Sequence, residues 1–201
     1  MKWVEDVAEL EAVYGEARGA SISKVAKRLT PEYRRWIETS RFCVVSTVGP
    51  EGADGSPRGD EGPVVVELDE RTLALPDWRG NNRIDTLRNI VRDPRIALMF
   101  MVPGSTNAVR VNGQARVTFD EGLCARFEKQ GKQPRSVTVI RIEEIYVQCA
   151  RAIMRSKLWS GEDESGDLPS IGEILSAMTD GDIDGDAYDR EWPDRAAQSM
   201  W

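Results

Sequence analysis

A run of short β-branched segments joined by turns most narrows the folds open to this chain. Residues 42–48, 63–68, 72–76, 95–102, 108–117 and 137–147 are rich in Val, Ile, Thr and aromatic side chains and read as strands. They do not alternate regularly with helices, as a doubly wound parallel sheet would require. The order predicts a mainly β (α+β) fold, an antiparallel barrel with peripheral helices. Within it, residues 49–57, with three glycines and two prolines, read as a long turn, and Gly113 as a bulge in its strand. The apolar run 95–102 is expected to be central or buried on both faces. Four helices are expected besides the one over about 83–92 that follows the junction described below. One spans 3–14, with Trp3, Val7, Leu10, Val13 and Tyr14 on one side. A second opens at Thr30-Pro31 and turns Tyr33, Trp36 and Ile37 to the core. The others cover 121–130 and 171–178.

One strand-to-helix junction concentrates chemistry. Pro76-Asp77-Trp78-Arg79-Gly80-Asn81-Asn82-Arg83 follows an apolar strand and precedes a stretch in which Ile84, Leu87, Ile90 and Val91 recur at helical spacing. The first turn of a helix has unpaired N–H groups and partial positive charge, so it accepts anions. Asn81 or Asn82 is expected to cap it, and Gly80 lets the backbone approach a ligand. Arg79 and Arg83 supply forked donors that match phosphate oxygens. The competing reading is an ordinary capped turn with solvated arginines.

The chain has no histidine. That excludes histidine-based triads, metal sites and acid–base work, and points to a bound cofactor for any redox chemistry. Cys43, Cys124 and Cys149 are scattered, have no metal spacing and read as small buried hydrophobes in a reducing compartment. No apolar run approaches the ~18 residues of a membrane span, and the acidic start lacks a signal core. The expectation is a soluble cytoplasmic protein. Residues 160–201 carry a net −10 of the chain's −7, which leaves residues 1–159 at +3. The division expected is a barrel domain with N-terminal helices over 1–159 and an acidic extension over 160–201. A body at +3 is no nucleic-acid surface, but it suits a small anion if its arginines converge.

The extension holds one further motif. Asp180, Asp182, Asp184, Asp186 and Glu191 follow the spacing of a calcium loop, with Gly185 at the sixth position. Pro193 is expected to block the exiting helix, and the competing reading is a solvated acidic tail.

The segments Ser56-Pro57-Arg58-Gly59-Asp60, Leu75 through Ile90, Val109-Arg110-Val111-Asn112-Gly113-Gln114-Ala115 and Arg155-Ser156-Lys157-Leu158-Trp159 resemble the pyridoxamine 5′-phosphate oxidase-like flavoproteins. More narrowly, they resemble a bacterial branch of undefined substrate. The resemblance implies a split β-barrel, a homodimer, and FMN held between subunits. It places Pro57, Arg58, Gly59, Asp60, Pro76 and Asp77 along the flavin. Asn82 and Arg83 fall at the phosphate, with Arg79, Gly80 and Asn81 beside them. Asn107 stands where the family often has a glutamine reaching the flavin, and Arg155 and Trp159 approach from the partner chain. The implied activity is FMN-dependent oxidoreduction of a small molecule, with flavin binding or redox sensing without turnover as the alternative. The arginine–histidine pair that grips the vitamin phosphate in the oxidases proper is missing, so that substrate is not implied.

Overall fold

The computed structural model describes residues 1–200. Its centre is a seven-stranded antiparallel sheet built from β1 (Phe42–Gly49), β2 (Gly52–Gly59), β3 (Val66–Asp69), β4 (Thr72–Asp77), β5 (Arg95–Met101), β6 (Ala108–Thr118) and β7 (Ser136–Gln148). The strand order is β2-β1-β5-β6-β7-β4-β3. The sheet curls without closing, so β2 and β3 are edges and the fold is a split barrel of the α+β class. The helices are peripheral: α1 (Val7–Tyr14), α2 (Ala20–Ser23), α3 (Pro31–Thr39), α4 (Asp85–Arg92), α5 (Glu121–Ala125), α6 (Arg151–Arg155), α7 (Ile171–Met178) and α8 (Gly185–Ser199).

Alternating side chains fill the barrel. Val45, Leu98, Phe100, Val111, Ile140 and Ile145 are almost fully buried, since every second residue of a strand faces the same side. Thr30 accepts from the Tyr33 N–H at 3.4 Å and caps α3. Ile37 then enters the core, with Tyr33 and Trp36 packed against it. A second cluster on the outer side of β4 and β7 joins Ala74 and Val137 to Cys124 and Phe127. At Gly113 the β6–β7 register shifts, and an added Cβ would sit 2.0 Å from the Arg141 carbonyl oxygen.

Several expectations are corrected. The glycine-rich stretch 49–57 is largely strand, because Gly52–Gly59 pairs along the whole of β1. As an edge strand it tolerates Gly55 and Pro57, which need not complete a ladder on both sides. Residues 63–65 lie outside any strand, although Val64 and Val65 are buried. β5 is central but covered on one face only, so Met99 remains 36% exposed. The N-terminal helix is shorter than expected and buries none of its residues; Trp3, Leu10, Val13 and Tyr14 are all exposed. The helix expected over 121–130 ends at Ala125. Cys43 and Cys124 are buried, and burial pushes the Cys43 thiol up to about 12. Cys149 is exposed, because it lies where the chain leaves β7 for α6. Its thiol falls below the usual range as the Arg151 backbone N–H bonds to it.

The acidic extension is ordered as a helical pair. α7 begins with a reciprocal capping box between Ser170 and Glu173. Gly172 and Gly185 let the two helices touch backbone to backbone, and Asp189 accepts from the Gly172 N–H at 2.8 Å. Pro193 does not stop α8. Tyr188 stacks on Trp192 at 6.2 Å and Arg195 lies 4.4 Å from the Tyr188 ring, so side-chain contacts bridge the proline. The proposed calcium loop is not assembled. Asp184 is consumed as the N-cap of α8, accepting from Ala187 at 3.0 Å. Among the described residues no group of three or more His, Cys, Asp or Glu side chains could hold a metal ion. No helix among them is long and apolar enough to cross a membrane.

Filling the β6–β7 crossing should be costly. Gly113→Ala is expected to lower stability by about 1–3 kcal/mol, the range for overpacking. Gly62→Ala, with nothing within 4 Å of the new methyl, should leave the thermal midpoint nearly unchanged.

Candidate functional site

A cavity of about 890 Å³ opens at the split, between edge strand β2 on one side and the ends of β4 and β7 on the other. Residues 57–60, 76, 77 and 79–83 all line it, so eleven of the fourteen positions singled out in the sequence converge there. β2 supplies Arg58 and β4 supplies Asp77. The junction from Trp78 to Ile84 then arches over the mouth before α4 begins.

The start of α4 differs from expectation. Its N-cap is Ile84, held in the left-handed region at φ 51° and making no side-chain cap. Asn81 instead accepts from the Arg83 N–H at 3.1 Å, closing a local turn. Asn82, at φ 60°, accepts from the Arg135 guanidinium at 2.9 Å. The first-turn N–H groups of α4 thus lack a side-chain cap, the condition that favours an anion. The buried face of α4 is Thr86, Asn89 and Ile90, while Val91 is exposed. Asn89 donates to Thr47 at 3.2 Å and packs on Gly49, so a polar side chain takes the place expected for valine.

Four arginines reach the cavity: Arg58, Arg79, Arg83 and Arg135. Arg58 donates to Thr86 at 3.3 Å, and Thr86 donates in turn to Asp54. Arg83 pairs with Asp85 at 2.9 Å in an exposed contact. The Asp60 carboxylate accepts from Lys129, from the Trp78 indole at 3.2 Å and from the Gly62 N–H at 3.2 Å. It braces the wall and has little capacity left for a ligand. Asp77 is half-buried, and burial raises its pKa above the ordinary carboxylate range, although the charges of Arg58 and Arg135 oppose this.

Three singled-out residues lie elsewhere. Asn107, Arg155 and Trp159 do not line the cavity. The Trp159 indole donates to the Ser105 carbonyl at 2.7 Å, and the Asn107 N–H donates to the Ser105 hydroxyl at 3.3 Å. They therefore form a separate cluster at the β5–β6 turn, with Arg155 at the end of α6 one turn before Trp159. Conversely, Arg135, Ser136, Phe119 and Met200 line the cavity without having been singled out. No local motif marks them. Only the pairing of Asp77 with Ser136 brings the start of β7 to the site.

The family model described as pyridoxamine 5′-phosphate oxidase matches residues 29–149. Among solved structures, a HupZ variant of Group A Streptococcus shares 19% identity at a TM-score of 0.50, covering 59% of this chain and 98% of that one. General stress protein 26 of Bacillus anthracis shares 19% at a TM-score of 0.41, covering 57% of this chain and 88% of that one. An F420 reductase shares 18% at a TM-score of 0.44, covering 58% and 98%. A comparison with curated proteins finds no match.

The raised Asp77 pKa carries a sign. A carboxyl that holds its proton more tightly when folded lowers stability at neutral pH, and that cost vanishes as pH falls below the ordinary carboxylate range. Asp77→Asn should therefore raise the melting temperature of the ligand-free protein at pH 7. The gain should disappear in melts near pH 3.

Proposed function

Because this chain belongs to the pyridoxamine 5′-phosphate oxidase family, we propose that it is a flavoprotein that holds FMN in the cavity at the split and serves as an oxidoreductase for a small molecule. The observation that carries this reading is the convergence of four arginines and an uncapped helix start on one cavity. A phosphate near charge −2 calls for several fixed donors. Arg79, Arg83 and the first turn of α4 would hold it, with Arg135 steadying the turn through Asn82. Arg58 adds positive charge to the opposite wall and favours negative charge on a bound ring. Bound FMN would supply hydride chemistry, and the chain would then need no histidine to bind and orient its ligand. The lack of histidine also argues against the vitamin substrate of the oxidases proper.

A second copy of the chain fits the same reading. Asn107, Arg155 and Trp159 stand apart from the cavity, so they would reach the flavin only from a partner. The outer face of β1, β5 and β6 offers a surface for it, where Val44, Ala97 and Met99 border an open depression of about 320 Å³.

Purified protein mixed with FMN should retain the yellow flavin absorbance through desalting. Arg83→Ala should weaken FMN by about 1.5–3 kcal/mol, the worth of a charge-assisted hydrogen bond; a colourless protein that cannot be loaded would exclude FMN. Light scattering should give twice the 22.5 kDa chain mass, and a monomer would remove the partner-supplied residues from the site.

A further inference from the structure

Helix α1 buries none of its residues. Val7, Leu10, Val13 and Tyr14 fall on one side of it, and Glu9 and Glu11 flank that side. Leu10 is 47% exposed and Tyr14 81% exposed. A helix of 8 residues is marginal in water by itself, because most helical stability comes from packing one face. The stripe calls for a cover that its own chain does not supply. Charge restricts what that cover is. Residues 3–17 hold five carboxylates and no Lys or Arg. Glu9 meets Lys2 at 3.2 Å, an exposed pair of small worth. An anionic lipid surface would repel such a helix, and an apolar surface with positive charge suits it.

The chain carries a surface of that kind. Val44, Met99, Arg110 and Tyr146 are direct partners across β1, β5, β6 and β7, so they form one row on the outer face of the sheet. Three of them, with Ala97, border the open depression of about 320 Å³. The Arg110 guanidinium and the Lys24 ammonium both lie over the Tyr146 ring, at 5.4 and 5.6 Å. Among the described residues neither cation enters an ion pair.

The N-terminal arm starts at the margin of this face. Ala26 and Ile145 exchange two backbone hydrogen bonds, at 2.9 and 2.8 Å, and the Tyr33 hydroxyl donates to the Lys24 carbonyl at 2.6 Å. Residues 1–23 therefore leave the barrel beside Tyr146. In a two-fold pair the same patch of both copies lies at the interface. A pair built on this sheet face thus sets each arm next to the depression of the other copy.

We propose that the two copies exchange their arms: α1 of each packs its stripe on Val44 and Met99 of the other, with Glu9 and Glu11 towards Arg110 and Lys24. The proposal rests on the reading of this face as the meeting surface of two copies, and it adds the segment that clasps them.

The test places Leu10→Cys and Met99→Cys together in a Cys149→Ser chain, whose remaining Cys43 and Cys124 are buried. Thermal melting first shows the variant folded, and light scattering gives its mass. A short bismaleimide then links thiols that lie close together, and mass spectrometry of the digested product identifies the linked peptides. The expected product has twice the chain mass, with position 10 joined to position 99. A 10–99 link within a single chain, a link between like positions, or no link in a protein that light scattering shows to be a dimer overturns the arm exchange and leaves the pairing of copies standing. A monomer removes both. Independently, Val7→Asp with Leu10→Asp should raise the dimer dissociation constant about 10-fold or more through lost apolar burial. An unchanged constant would overturn the contact.

Discussion

The unfinished closure of the sheet is the constraint on which the rest depends. β2 pairs only with β1, and β3 pairs only with β4. β2 is thereby left with a free edge, and its residues 54 and 56–59 form one wall of the cavity. An open seam in a barrel would normally invite pairing with another chain. Here one margin is a short strand, β3, with a register shift, and the other is a strand interrupted by glycine and proline. Sequence that weakens an edge thus also keeps the seam open.

Electrostatics follows from that geometry. Arginines from β2, from the β4–α4 junction and from the start of β7 face one cavity, while its carboxylates are largely committed. Asp60 belongs to Lys129 and Trp78, Asp54 to Thr86, and Asp85 to Arg83. Donors fixed by such pairing need little reorganisation when an anion arrives, the condition under which polar groups bind most strongly. Asp77 is the exception, since burial opposes its ionisation and neither nearby arginine touches it.

Much of the fold was legible because local patterns and tertiary packing agree. The β-branched runs are strands, Thr30-Pro31 opens a helix, and Gly113 marks the shift in register. Misreadings arose where packing overruled local preference. Gly52–Gly59 reads as a turn by composition, yet the full length of β1 offers it a ladder. Valine at position 91 reads as core by periodicity, yet Asn89 is the buried residue because it bonds to Thr47. Pro193 reads as a terminator, yet the Tyr188–Trp192–Arg195 stack carries the helix past it.

The sequence by itself determined six of the seven strands, the anion-seeking character of residues 76–83, and the exclusion of histidine chemistry, since each depends on residue type and near-neighbour spacing. Only the tertiary structure decided that β2 faces that junction across an open seam. It alone set Ser136 opposite Asp77, joined Arg135 to Asn82, and put Asn107 and Trp159 in a cluster of their own. Those relations come from pairing between strands distant along the chain. Register is fixed by which faces can be buried together, a property of the assembled sheet that no single segment carries.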